Sequence, residues 1–185
     1  MNSYYSEVEL KELGLKIFGE DVKISKRACI YSPENISIGS HVRIDDYCIL
    51  SGNIDIGDYV HIAPYCGLYG RYGIVMEDFS GLSSRVSIYS GTDNYSGMYL
   101  TNPTVPDKYK KTYSGKVVLK KHVIIGASSV ILPQVIIGEG TAVGSLSLVA
   151  KDLEPWKIYG GVPCKIIKER NKKALKLEKE LKEEK

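Results

Sequence analysis

The sequence predicts an all-β fold, a parallel β-helix wound as a three-sided column of about six coils. Three observations predict it. Aliphatic or aromatic apolar residues recur at every sixth position: Phe18, Ile24, Ile30; then Ile38, Ile44, Leu50, Ile56, Ile62, Leu68; then Met76, Leu82, Ile88; then Leu119, Ile125, Ile131, Ile137, Val143, Val149. The residue that follows is often glycine (Gly19, Gly39, Gly57, Gly126, Gly138, Gly144). The residue four places on is small or branched, as at Val42, Cys48, Ile54, Val60, Cys66, Val86, Val123, Ser129, Val135, Thr141 and Ser147. Residues two apart share one side of a strand, so each hexad supplies a short strand, and its glycine-containing positions turn the chain. Three hexads close one coil, roughly 4.8 Å above the last. Cys48 and Cys66 stand one coil apart and are expected to stack inside.

The elements follow in order within a single domain, 1–185. Residues 1–17 form an N-terminal helical segment: Ser6 with Glu9 fits a capping box, Val8, Leu10 and Leu13 are its apolar positions, and Gly14 ends it. The β-helix runs over 18–164. The hexad phase slips near Ser32–Asn35 and near Gly70–Gly73. A long break between Ile88 and Leu119, rich in Gly, Pro, Asn, Ser, Thr and Tyr, reads as an extruded loop over 89–116. Residues 165–185 read as a C-terminal helix with Ile167, Ala174, Leu177 and Leu181 on one face and Lys/Glu elsewhere.

Composition bounds the function. The 185 residues are 43% hydrophobic and 25% charged, with a net charge of +3. Such a balance, without a basic stripe, does not point to nucleic acid. No apolar run is long enough for a membrane span. The opening MNSYYSEVELKEL carries acids where a secretory signal needs an apolar core, which predicts a cytoplasmic protein. The four cysteines show no C-x-x-C or Cys/His clustering, so neither a zinc site nor, in a reducing compartment, a disulfide is expected.

Residues 123–168, VIIGASSVILPQVIIGEGTAVGSLSLVAKDLEPWKIYGGVPCKIIK, carry V-x-I-G-A, a following hexad, V-x-K-D and G-x-P-C-K. Together with the repeat from Phe18, this stretch resembles the hexapeptide-repeat acetyltransferases, nearest to the galactoside/maltose branch and its surface-polysaccharide relatives. The resemblance implies a left-handed β-helix, a homotrimer with active sites between adjacent columns, and acetyl-CoA as co-substrate. It places Ala127, Ser145, Ala150 and Lys151 along the pantetheine arm, and Lys165 and Lys168 near the coenzyme's phosphates. Trp156 is expected either to stack on adenine or to plug the column's end.

In that branch a histidine at the base of the extruded loop deprotonates the acceptor hydroxyl. Here the corresponding position holds Asp93, and the chain's three histidines, His41, His61 and His122, lie outside the loop. An alcohol needs a positioned base, whereas a neutral amine attacks a thioester unaided. The departure therefore points to an amine acceptor, with Asp93 holding the ammonium or taking its proton. His61 is expected to point outward from its strand, with Gly81 one coil on leaving room for a ligand. His61 and Asp93 from different subunits are a candidate base and orienting carboxylate. Asn94, Tyr95, Asp45 and Asp46 are further acceptor-side candidates. The expected activity is N-acetylation of a nucleotide-linked amino-deoxysugar in O-antigen or capsule synthesis. The alternatives are O-acetylation of a sugar hydroxyl and a non-catalytic scaffold.

Overall fold

The structure is a computed structural model and describes residues 3–184. The chain forms a parallel β-helix with three faces. On the first face Phe18, Ile38, Ile56, Met76, Leu119 and Ile137 lie in register, coil above coil. On the second, the column is Ile24, Ile44, Ile62, Leu82, Ile125 and Val143. The third carries Ile30, Leu50, Leu68, Ile88, Ile131 and Val149. These are the residues of the six-residue repeat, and all but Phe18 and Ile30, both in the first coil, are buried. Cys48 and Cys66 are buried inside as reduced thiols, donating to the carbonyls of Ala63 and Ser83.

The turns are made differently from the sequence expectation. Along the first and second edges a left-handed residue stands three places after most core residues, and it is seldom glycine. Asp21, His41, Tyr59, Phe79, His122 and Trp156 take φ between +48° and +61° along the first edge, between first and second faces. Tyr47, Tyr65, Arg85, Ser128 and Leu146 do so along the second. Each such conformation costs about 1–2 kcal/mol, and regular stacking offsets it. The backbone N–H groups of Tyr59, Phe79, His122 and Trp156 each donate to a carbonyl of the coil below. The glycines serve close approach instead: a Cβ at Gly39 would stand 2.6 Å from the Gly57 carbonyl carbon of the next coil.

The first edge is an aromatic ladder. His41 stacks on Tyr59 at 4.7 Å, Tyr59 on Phe79 at 4.7 Å, Phe79 on His122 at 5.2 Å, and His122 meets Trp156 at 6.1 Å. Trp156 is buried over Gly140, closing the ladder.

All three interruptions fall on the third edge, between the third and first faces. Pro33–Asn35 forms a 3₁₀ turn, the 70–73 segment bulges, and the long loop leaves and returns there. Its stem pairs Gly91–Thr92 with Tyr113–Ser114 antiparallel. Buried Ser90 ties the two upper insertions together: its hydroxyl accepts from the Tyr72 N–H and donates to the Tyr69 carbonyl. The coils above the loop resume in register, Leu82 under Ile125 and Ile88 under Ile131.

At the N-terminus, helix α1 spans Glu7–Glu12 with the expected Ser6/Glu9 capping box. Only Leu10 of this helix is buried, and Val8 faces solvent. The C-terminal expectation needs correction. Residues Lys165–Glu169 are a strand, antiparallel to Lys157–Gly160, and helix α2 spans only Lys173–Glu183. Both faces of the pattern Ile166-Ile167 are exposed, so apolar spacing did not distinguish strand from helix there. Helix α2 is held by charge. Glu178, 9% exposed, pairs with Lys121, His122 and Lys182. Burial raises its pKa, but these three partners outweigh that and hold it at about 2.

Candidate active site

The 70–73 bulge and the loop enclose a cavity of about 360 Å³ on the third edge. Both insertions leave the column at neighbouring levels, because Tyr69 is in register with Tyr89. The two rings stack at 4.9 Å and 12° and contribute to the cavity wall. Asp93 lies on this wall, half-buried, and its Oδ2 accepts the Asn102 N–H at 3.2 Å. Arg71 and Lys110 line the same space. The neighbouring candidates differ: Asn94 caps its own turn by accepting the Ser96 N–H, and Tyr95 is 88% exposed.

His61 and Asp45 form a second constellation, on the second face and its edge. His61 Nε2 is 2.8 Å from Asp45 Oδ2, and Arg43 Nε donates to Asp45 Oδ1 at 2.7 Å. Tyr4 adds a longer bond at 3.3 Å. Asp45 is 6% exposed. Burial pushes its pKa up, yet the hydrogen bonds from His61 and Arg43 outweigh that and keep it below the ordinary value. An ionised Asp45 accepts the Nε2–H of His61 and fixes the orientation of the ring. The orienting carboxylate of His61 within the chain is thus Asp45, not Asp93: His61 lies in register with Arg43 of the neighbouring coil, and Asp45, two residues beyond Arg43, reaches the imidazole. Asp45 is satisfied by protein groups, and Asp46 is engaged by Ser25 and Arg27. His61 itself remains half exposed. Gly81 is in register above it, as expected, but is buried. A Cβ there would meet Ile124 Cδ1 at 3.4 Å, so the missing side chain opens only a shallow gap.

One chain does not bring His61 and Asp93 to a common cavity: His61 stands on the second face, and Asp93 at the third edge. The coenzyme candidates also divide. Lys151 and Lys165 share a cavity of about 340 Å³ with Cys164 and Tyr159. Ala127 and Ser145 lie on the second edge, where the Ala127 carbonyl accepts the Leu146 N–H. Ala150 is exposed on the third edge, and Lys168 is exposed in register with Ile158. Among the described residues, no group of three or more His, Cys, Asp or Glu is placed to hold a metal ion, and no helix is long and apolar enough to cross a membrane.

Comparison with known proteins adds to this geometry. Residues 35–70 match the family described as bacterial transferase hexapeptide (six repeats). The chain is 50% identical to the dTDP-4-amino-4,6-dideoxy-D-glucose acyltransferase of Escherichia coli, over 95% of this chain and 93% of that one. It superposes with a TM-score of 0.98 on AntD, an N-acyltransferase from Bacillus cereus in complex with dTDP and coenzyme A, at 53% identity and with 100% of both chains covered. A shorter match, 39% identical over 35% of this chain and 32% of the other, is to the galactoside O-acetyltransferase of Escherichia coli. The solved AntD structures include variants at a serine and at an aspartate ten positions further on. In this chain Ser83 and Asp93 stand at that spacing. Ser83 escaped the sequence reading because a serine on a turn carries no signal by itself. It follows core residue Leu82 as Asp45 follows Ile44, on the same edge of the column.

Proposed function

As the chain belongs to the hexapeptide-repeat acyltransferases, with their left-handed parallel β-helix, we propose that it transfers the acetyl group of acetyl-CoA to the amino group of a nucleotide-linked amino-deoxysugar. The observation that carries the reading is Asp93. It stands on the wall of the loop cavity where a hydroxyl-acylating relative would need a histidine, in a chain similar from end to end to an amino-sugar N-acyltransferase.

The neutral amine attacks the thioester carbonyl; a C–N bond forms and the C–S bond breaks. The ammonium proton passes to the Asp93 carboxylate and onward to solvent, and the coenzyme leaves as its thiol after taking up a proton. The active unit is a homotrimer. The seam between columns brings Asp93 of one protomer toward the face of the next that carries His61, Asp45 and Ser83, with Asn94 and Tyr95 beside the acceptor. Ala127, Ser145, Ala150, Lys151, Lys165 and Lys168 bind the coenzyme. The setting is the cytoplasmic synthesis of a surface polysaccharide such as O-antigen.

Mixing the protein with acetyl-CoA and either amino-deoxysugar nucleotides or their hydroxyl counterparts tests this. Thiol release with the amines is expected. Release confined to hydroxyl acceptors would establish O-acetylation instead, and absence of coenzyme binding by an intact trimer would leave a scaffold.

A further inference from the structure

We propose that Arg71 and Lys110 form a diphosphate clamp at one end of the third-edge cavity, with Asp93 at the ammonium end and the Tyr69/Tyr89 pair as the wall for the base. The inference rests on the amino-sugar reading and names how this chain would hold such a substrate. An amino-sugar nucleotide carries one positive nitrogen and a negative diphosphate. The cavity carries the inverse pattern, one carboxylate and two cations, from three separate segments: Asp93 from the outgoing leg of the loop, Lys110 from its return, and Arg71 from the 70–73 bulge.

Both cations line one cavity. Lys110 Nζ lies 3.1 Å from Asp107 Oδ1. The Asp107 carboxyl is held below its ordinary value, first by Lys110 and to a smaller extent by Arg71. The side chain of Asp107 is 87% exposed, whereas that of Lys110 is 14% exposed. An incoming phosphate therefore displaces a well-solvated carboxylate from a cation that is already ordered. The Arg71 guanidinium is placed 5.6 Å from the centre of the Tyr72 ring, and Tyr72 is anchored through its N–H to Ser90. A guanidinium held in this way suits the bidentate geometry of phosphate oxygens. Tyr69 and Tyr89 add a paired aromatic surface of the kind on which a nucleobase stacks.

Calorimetric titration with dTDP, and separately with coenzyme A, tests the clamp. Arg71→Ala and Lys110→Ala are each expected to weaken dTDP binding roughly tenfold, and the double variant roughly a hundredfold. Coenzyme A affinity should stay within twofold in the same samples, which also reports that the fold is intact. Arg71→Lys should retain part of the affinity, because charge survives while bidentate geometry does not. A double variant that binds dTDP as tightly as the unaltered protein overturns the clamp and leaves the amino-sugar reading standing. Equal losses for dTDP and coenzyme A also overturn it. An unaltered protein that binds no dTDP overturns both.

Discussion

The first and third edges of the column are built from the same repeat and have opposite characters. Along the first edge every coil turns in the same left-handed conformation, and its side chains stack from His41 to His122, with Trp156 tilted over Gly140 at the end. The segment after the β-helix reinforces it: Arg170 donates to the carbonyls of His122 and Gly140, and Glu178 bonds His122. Along the third edge the chain departs three times, and two departures enclose the cavity with Asp93. An edge that repeats can stack and is committed to stability. An edge that varies stacks only locally, as at Tyr69 and Tyr89, and is available for chemistry.

The contrast is testable by exchanging readouts. The largest expected effect is at the irregular edge. Asp93→Asn should lower kcat by about 100-fold or more, with thermal stability and coenzyme A affinity unchanged; stopped assays and melting curves on one sample check both. Next is Phe79→Ala in the ladder, expected to cost about 2 kcal/mol of stability while leaving the kcat of folded protein intact. A fall in turnover without a fall in melting temperature would erase the distinction. Lys151→Ala or Lys165→Ala should raise the apparent KM for acetyl-CoA roughly fivefold and leave that of the acceptor alone; an effect confined to the acceptor would move the coenzyme elsewhere. The smallest effect concerns the clasp on the ladder. Glu178→Gln should cost about 1 kcal/mol at neutral pH. The Glu178 pKa is depressed to about 2 in the folded chain. Its contribution is therefore complete above the ordinary carboxylate range and lost as pH falls toward 2. Melting temperatures of the two proteins should separate at pH 7 and converge in acid.

The column itself was legible in the sequence because burial repeats with a fixed period, and Ile24, Leu50 or Ile131 can satisfy it in only one phase. The interruptions were legible as breaks, but not as a shared cavity. That required Tyr69 and Tyr89 to be in register, a relation between coils rather than between neighbours. The partner of His61 was hidden similarly: Asp45 reads in sequence only as an acceptor-side candidate, and its bond to the imidazole depends on a relation between neighbouring coils. The ladder had a usable signal, since its members stand three places after core residues. His41 and His122 stand at that offset, which the reading of the core residue and of the positions one and four places on does not cover. The C-terminal strand was misread since Ile166 and Ile167 satisfy a helical or an extended pattern equally well.

The return to register above the long loop has a consequence for how such proteins diversify. Because Leu82 and Ile88 meet Ile125 and Ile131 regardless of what lies between, the outgrowth is grafted onto the stem without altering its pitch. Exchanging that graft would redirect the catalyst to another acceptor while the scaffold below and above went on folding as before, so that change of substrate and retention of shape are, in this molecule, separable inheritances.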